Sequence, residues 1–341
     1  MRVFPILVIL ATALCALPSS SITRAQDAAA PQIIIKVATM APRSPDFTRR
    51  EKRYNQRLGE ETQGRIQFRT YYGGIAGDEQ TVMRKLRSGQ IDAAPLGTDT
   101  ASAAVRQSMV LMAPQTFFNY KQVDAVRKAL VPEFNAEAYQ NGFKVLSWWD
   151  AGRARIFSRR PIRSFTDLRI GRPWLYPPSS MLREFYKMIN VTGVPLEISE
   201  VYGGLQTGMI DTVWISPLLV AALRWSAHVS YMSASPATII QGAFVLRRPT
   251  WDAMSKADQA TLERIVAEQS GKTQAEFRAD DEKAFIKLQS RGITAVPFTK
   301  PEEWRAVGRT LRNKMIGRAY SKDMLARVEA ITKLYPEDVP R

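Results

Sequence analysis

Residues 82–92 (VMRKLRSGQID) and residues 201–211 (VYGGLQTGMID) carry the same pattern 119 positions apart. Val, Leu, Gly, Ile and Asp recur in register, which gives five identities in eleven positions. Each identity has a structural task, because Val and Leu can face a core from one helix, Gly can end that helix, and Ile-Asp can open the next strand. Any amphipathic helix that ends in this way would look similar, which is the simpler explanation. We favour a duplicated unit, which predicts two related α/β lobes with a crevice between them.

The residues around the first copy read as alternating strands and helices. Residues 33–39 (IIIKVAT) form a nearly continuous apolar, β-branched run, the pattern of a strand buried on both faces. A helix is expected at about residues 47–58 and a second strand at residues 65–71. Asp78 is a suitable N-cap and Gly89 a suitable C-terminal stop for the helix between them. This order of elements predicts an α/β fold.

The second half of the chain continues the same reading. Residues 145–149 read as a strand that leaves the first lobe, and residues 239–246 as a strand that returns. Residues 255–290 read as a long, charged amphipathic helix, and Thr299 with Glu302 predicts a capping box for a last helix.

These patterns divide the chain into four parts. We expect a signal peptide, a first lobe, a second lobe, and a last part with the return strand and C-terminal helices that pack across both lobes, at residues 1–25, 26–150, 151–231 and 232–341.

The N-terminus has the order of an export signal. Arg2 precedes an apolar stretch at residues 3–17, and Thr23-Arg24-Ala25 is a small-x-small cleavage site, so we expect cleavage near Ala25 and an exported protein. A lipoprotein anchor on Cys15 is the alternative, although Leu14 stands where a small residue is expected.

The composition excludes several kinds of site. One Cys and one His in 341 residues rule out disulfide scaffolds and zinc or iron–sulfur sites built from Cys and His. No Gly-x-Ser-x-Gly, P-loop or dinucleotide fingerprint is present, so we expect no enzyme, cofactor or metal. The net charge of +16 favours anionic partners, but export and the dispersed positions of the charges argue against nucleic acid.

An ordered series of short motifs resembles a known family. The series consists of Lys36 followed by VATMAP, Gly64-Arg65, Tyr72-Gly73-Gly74, Gly77-Asp78-Glu79, LRSGQID up to Asp92, Gly152-Arg153, Pro161-Ile162, Asp167-Leu168, and EVYGGLQTGMID from Glu200 to Asp211. In this order the motifs resemble the solute-binding receptors of TRAP (tripartite ATP-independent periplasmic) transporters of the dicarboxylate-receptor (DctP) type.

The resemblance implies a two-lobed periplasmic binding protein fold (type II-like) with hinge strands. It also implies a periplasmic, monomeric receptor that encloses a carboxylate ligand, delivers it to the TRAP membrane permease subunits and carries out no catalysis.

Strand ends and the resemblance together select candidate ligand contacts. Ligands of open α/β sheets lie beyond the carboxyl ends of strands, which points to Met40 and Phe47 after the first strand and to Glu79 after the second. Glu79 would suit a hydroxyl or ammonium group. The resemblance implies that Arg172 holds a ligand carboxylate, with Arg153 near a second cleft arginine of the family. Arg155 competes with Arg153 for that place.

A departure from the family pattern suggests a less polar pocket. Many members carry Gly-x-Glu-Asn after the second Ile-Asp, whereas this chain has Trp214, Ile215 and Ser216 shortly after Asp211. With Trp174, these residues predict a pocket for a hydrophobic or aromatic acid, as in a divergent branch of the family. The alternative is that both tryptophans pack in the core.

The sequence also allows three other classes of protein. They are a receptor of an ABC-type transporter, an exported protein that binds lipids or other hydrophobic ligands, and an exported hydrolase.

Overall fold

The structure is a computed structural model that describes residues 33–336 of the chain. The predicted signal peptide and its cleavage site lie outside these residues. The strands of the described part are β1 (Ile33–Ala38), β2 (Ile66–Tyr71), β3 (Ala93–Gly97), β4 (Phe143–Ser158), β5 (Trp174–Leu175), β6 (Val194–Pro195), β7 (Thr212–Ile215), β8 (Tyr231–Ser233), β9 (Thr238–Arg247) and β10 (Thr294–Val296).

Helices connect these strands and cover the sheets. They are α1 (Pro45–Glu61), α2 (Glu79–Ser88), α3 (Thr98–Ala101), α4 (Tyr120–Gln140), α5 (Phe165–Ile170), α6 (Ser180–Met188), α7 (Ile198–Thr207), α8 (Pro217–Ala222), α9 (Arg248–Asp252), α10 (Lys256–Ser290), α11 (Pro301–Lys314) and α12 (Lys322–Lys333). Between residues 33 and 336, none of the helices is both long and apolar enough to cross a membrane.

The first lobe is built on a sheet with the order β2-β1-β3-β9-β4. β1 is parallel to β2 and β3, as helical connections require, whereas β9 is antiparallel to both β3 and β4. The second lobe uses the other end of β4, which pairs with β7 and β8, and β10 lies parallel to β8. β5 pairs with β6 and meets β7 through a bridge between Pro173 and Thr212. The mixed α/β architecture with two lobes agrees with the sequence prediction.

β4 is therefore shared by the two lobes. β4 has 16 residues, so it is longer than the strand predicted at residues 145–149 and continues past residue 150, where the boundary between the lobes was expected. The lobes are joined by a continuous strand with register shifts at Val145/Ser147 and Asp150/Arg153, where the ladder with β9 bends.

The two copies of the repeat fold alike. α2 and α7 each have ten residues and end at a left-handed glycine, Gly89 with φ 80° and Gly208 with φ 76°. Asp92 and Asp211 then repeat one interaction with the neighbouring chain segment. The carboxylate of Asp92 accepts the Lys36 N–H at 3.0 Å, and that of Asp211 accepts the Arg172 N–H at 2.9 Å. The conserved spacing thus places the same strand-to-strand link in each lobe.

The long helix is confirmed, but the predicted capping box is wrong. Ser255 caps α10, which runs to Ser290 as predicted. Thr299 instead donates its hydroxyl to the Arg163 carbonyl, and α11 begins at Pro301 with Lys300 at its N-cap. Proline is favoured at the first helical position, so it sets the start of α11. A further helix, α12, follows.

Gly242 of β9 is packed tightly against Trp149 and the backbone of Leu96. A Cβ at residue 242 would lie 2.1 Å from Trp149 Cζ2 and 2.4 Å from the Leu96 carbonyl oxygen. Gly242→Ala should therefore lower the free energy of unfolding by about 3 kcal/mol or more, measured by urea denaturation.

Gly59→Ala is the matched control, because a Cβ at residue 59 of α1 meets nothing within 4 Å. It should raise the free energy of unfolding by about 0.5–1 kcal/mol. Similar stabilities for the two variants would contradict the packing argument.

Candidate functional site

The carboxyl ends of parallel strands from both lobes face one cleft. Met40 follows β1, Tyr72 follows β2 and Tyr176 follows β5, and all three line cavities in this cleft. This is the location expected for ligands of α/β sheets.

The first cavity, named here the first chamber, has a volume of about 370 Å³. α1, the loop after β1, α8 and α10 all contribute lining residues. Its aromatic lining residues are Phe47, Tyr54, Phe68, Tyr72, Trp148, Trp149, Trp174, Phe244 and Phe277.

The second cavity, the second chamber, has a volume of about 330 Å³ and adjoins the first. Its walls come from the start of α3, from α6, from the start of β9 and the two residues before it, and from Phe298 and α11. Its aromatic lining residues are Trp149, Trp174, Tyr176, Phe185, Trp214, Phe298 and Trp304. Glu79, Trp149, Trp174, Ile198, Ile215 and Leu219 line both chambers.

Six of the nine residues selected from the sequence line these chambers. Met40 and Phe47 lie in the first chamber, Trp214 lies in the second, and Glu79, Trp174 and Ile215 face both. Trp174 is 5% exposed and donates its Nε1–H to the Leu196 carbonyl at 2.7 Å. It therefore packs in the core of the second lobe and also presents a face to the cleft.

Arg172 does not reach either chamber. Its side chain is exposed, and its guanidinium lies beside Gly208, just beyond the end of α7. Ile198, at the other end of the same ten-residue helix, lines both chambers. At 1.5 Å per residue the two ends of α7 are about 15 Å apart. The expected contact between Arg172 and a ligand carboxylate is therefore not supported by this arrangement.

Arg153 is also directed away from the chambers, towards α10. Its N–H donates to Asp281 at 2.9 Å, and its guanidinium lies 3.7 Å from Glu282 and over the ring of Tyr120. A register shift in the ladder between β4 and β9 lies between Asp150 and Arg153. Arg155, the competing candidate, is buried, stacks on Phe285 at 4.1 Å and donates to the Ser233 carbonyl.

Ser216 serves the fold rather than the cleft surface. It is fully buried, and its Oγ accepts the Leu219 N–H at 3.3 Å as the N-cap of α8. A single hydroxyl that caps a helix is already satisfied as an acceptor.

Glu79 lies where the two chambers meet, as the first residue of α2. Its carboxylate accepts the Gly97 N–H at 3.2 Å and the Tyr176 hydroxyl at 3.1 Å. Burial raises the pKa of Glu79, and the nearby Asp99 adds to this effect, while hydrogen bonds from neighbouring groups oppose it. The group can therefore accept a proton or a hydrogen-bond donor more readily than an exposed carboxylate.

Asp99 is a second carboxyl group of the cleft, just after β3. It lines the second chamber, and its Oδ1 is buried without a hydrogen-bond partner among the described residues. Burial raises the pKa of Asp99 from 3.8 to about 6, with a hydrogen bond from Ser179 acting in the opposite direction.

Arg50 supplies positive charge at the edge of the first chamber. Among the described residues, Arg50 is the one Lys or Arg that lines either chamber. Its guanidinium lies 4.4 Å from the ring centroid of Phe277 and 3.3 Å from the carboxylate of Glu276. The neighbouring Glu51 accepts the Tyr72 hydroxyl at 2.8 Å. Within residues 33–336, no group of three or more His, Cys, Asp or Glu side chains is arranged to hold a metal ion.

Several lining residues were absent from the sequence prediction. Asp99 could have been found, because it follows β3 just as Met40 follows β1 and the same rule for strand ends applies. Trp304 carried no comparable sign, since it reaches the second chamber from α11, far along the chain from the other walls.

The raised pKa of Asp99 predicts a pH-dependent stability. The folded protein holds this proton more tightly than the unfolded chain, so the contribution of Asp99 to stability falls as the pH rises from about 4 to about 6. Asp99→Asn should remove this fall and raise the free energy of unfolding at pH 7 by on the order of 1–3 kcal/mol. Urea denaturation of both proteins from pH 4 to pH 8 measures the free energy of unfolding at each pH.

Asp323→Asn is the control, because this carboxylate is 80% exposed. It should leave the pH profile unchanged. An Asp99→Asn profile that runs parallel to that of the unmodified protein would show that Asp99 does not titrate in this range.

Comparison with known sequences identifies one family. The profile of the bacterial extracellular solute-binding proteins, family 7 (DctP), matches residues 37–317. The 2,3-diketo-L-gulonate-binding periplasmic protein YiaO of Escherichia coli is 24% identical over 72% of this chain and 75% of its own length. The C4-dicarboxylate-binding periplasmic protein DctP of Rhodobacter capsulatus is 22% identical over 89% and 92%.

Solved structures share the fold. A TRAP periplasmic solute-binding protein from Xanthobacter autotrophicus, with bound β-D-galacturonate, has a TM-score of 0.80 at 18% identity and covers 86% of this chain and 99% of its own. DctP7 of Bordetella pertussis, which binds pyroglutamic acid, has a TM-score of 0.79 at 14% identity and covers 88% and 99%. The chain belongs to the DctP family of bacterial extracellular solute-binding proteins, family 7, and is therefore a solute-binding receptor rather than an enzyme.

Proposed function

We propose that this receptor captures an organic acid with a hydrophobic or aromatic body between its lobes and delivers it to the membrane permease of a TRAP transporter. Export with cleavage near Ala25 and action as a monomer are parts of the same proposal. The observation that carries it is the pair of aromatic-walled chambers between the lobes, with Arg50 at the edge of the first.

The lining supports an apolar ligand body. Nine aromatic side chains line the first chamber, to which α8 adds the apolar Leu219 and Ala222, and in the second chamber the ring centroids of Trp214 and Phe185 are 5.5 Å apart. Pockets of this kind recognise a ligand by apolar contact and use a few polar groups for orientation. Arg172 and Arg153, which the resemblance to the family implied as polar ligand contacts, lie outside the chambers.

An acidic head group is supported by the relatives and by Arg50. Proteins similar to this chain are named for binding 2,3-diketo-L-gulonate or C4-dicarboxylates, or hold galacturonate or pyroglutamic acid. Arg50 could pair with such a carboxylate after releasing Glu276, which is more exposed.

The carboxyl groups of the chambers do not exclude an anion. Glu51 is hydrogen-bonded to the Thr70 N–H and to the Tyr72 hydroxyl. Glu79 and Asp99 have raised pKa values, which reduce the cost of protonating them when an anion approaches.

Closure of the lobes provides the mechanism of capture. A ligand in the chambers touches α1 and β1 of the first lobe and α8 of the second, so it stabilises the closed arrangement more than the open one. The permease would then recognise the closed form through its surface.

The role of Arg50 is open to a direct test. Arg50→Met keeps the length of the side chain but removes its charge, so the affinity for organic acids should fall about tenfold or more, which is about 1.4 kcal/mol. A thermal-shift screen of aliphatic, aromatic and hydroxy acids identifies the ligand, because binding raises the melting temperature. Calorimetry then measures the affinity of the unmodified protein and of Arg50→Met for that ligand.

Arg53→Met is the matched control, because Arg53 lies on the same helix outside both chambers. Arg172→Ala should likewise leave the affinity unchanged. A loss of affinity in Arg172→Ala, or no loss in Arg50→Met, would show that the ligand carboxylate does not bind at Arg50. If no acid raises the melting temperature, the proposed ligand class is wrong.

A further inference from the structure

The two chambers share part of their lining. Six residues line both, among them Trp149, Trp174 and Ile215, so the chambers adjoin along these residues. Rotation of a few such side chains can join the chambers. The joined space of about 700 Å³ lies well inside the range of 300–1,000 Å³ found for ligand pockets.

Two side chains that line the second chamber each have a polar atom that the fold leaves unsatisfied. Trp149 Nε1 and Asp99 Oδ1 are both buried, and neither has a hydrogen-bond partner among residues 33–336. Buried polar groups of native proteins are nearly always paired, so such exceptions require an explanation. One is a donor and the other an acceptor.

We infer that the second chamber is a subsite for the far end of an elongated acid, and that this end carries a hydroxyl group. The inference rests on the proposed function, which places the carboxylate at Arg50 in the first chamber. The chain of the ligand then passes Trp149, Trp174 and Ile215 and ends near Asp99.

A hydroxyl is a group that can pair with either kind of unsatisfied atom. It donates one hydrogen bond, which Asp99 Oδ1 can accept, and it accepts hydrogen bonds, one of which the Trp149 indole N–H can donate. A plain alkyl end would leave both atoms buried and unpaired, which is unfavourable. The aromatic walls of both chambers favour an apolar chain between the two polar ends.

Two alanines permit a matched experiment. Ala222 lines only the first chamber and Ala237 lines only the second. Ala222→Trp and Ala237→Trp therefore introduce the same side chain into different chambers. The N–H of Ala237, which donates to the Ala154 carbonyl, is kept in the variant.

The probes are hexanoate, octanoate and decanoate, each with and without a terminal hydroxyl, and calorimetry measures their affinities. In the unmodified protein the affinity should rise about fourfold per CH₂ up to the longest chain. The terminal hydroxyl should strengthen the binding of the longest acid. Ala237→Trp should abolish the gain beyond hexanoate and leave hexanoate itself unchanged, whereas Ala222→Trp should weaken all the acids.

The outcomes separate this inference from the proposed function. Binding of hexanoate with no gain for longer acids would overturn the subsite and leave the proposed function standing. Equal affinity for the acids with and without the terminal hydroxyl would overturn the inference that the far end of the ligand carries a hydroxyl. Binding of no acid at all would overturn both proposals. Trp304→Ala, which removes a wall of the second chamber, should also reduce the gain for long chains and replaces Ala237→Trp if that variant does not fold.

Discussion

The antiparallel pairing of β4 with β9 is the constraint on which the other features depend. The ladder runs from Phe143 opposite Arg247 to Ala154 opposite Thr238, so one pair of strands belongs to both lobes. At the bend, Asp150 is fully buried and accepts hydrogen bonds from Arg127, Arg278 and Gln274. A buried carboxylate is tolerated only when its oxygens are paired, so these donors from α4 and α10 fix the bend. The bend sets the positions of the two walls of the cleft.

The duplicated unit explains both the symmetry and the asymmetry of the cleft. Asp92 and Asp211 make the same link to a neighbouring segment, so each lobe presents its helix start to the cleft in the same way. Glu79 and Ile198 are the first residues of α2 and α7, and both line the two chambers. One copy therefore contributes a carboxylate and the other an apolar side chain. The two copies therefore differ in polarity at equivalent positions of the cleft.

The large positive charge of the chain contributes little to the interior of the cleft. Arg127 and Arg278 are used at the bend, Arg153 and Arg155 contact α10, and Arg172 lies at the outer end of α7. Such charges can attract anions over distance, but they do not select among ligands inside the chambers. Selection there depends on aromatic surface, on the carboxyl groups of Glu79 and Asp99, and on Arg50.

The sequence alone determined the α/β class, the repeat, the helix ends at Gly89 and Gly208, and the position of the cleft at strand ends, because these features depend on periodicity and on local backbone conformation. It also indicated six of the lining residues: Met40, Phe47 and Glu79 from their places after strands, and Trp174, Trp214 and Ile215 from the departure from the family pattern. The directions of Arg172 and Arg153 were decided only in the tertiary structure, because a register shift or one turn of helix reorients a side chain without any change in the local pattern. The second chamber was likewise decided there, since Asp99, Trp149 and Trp304 come together from segments up to about 200 residues apart, and their contacts depend on how the lobes and α11 pack.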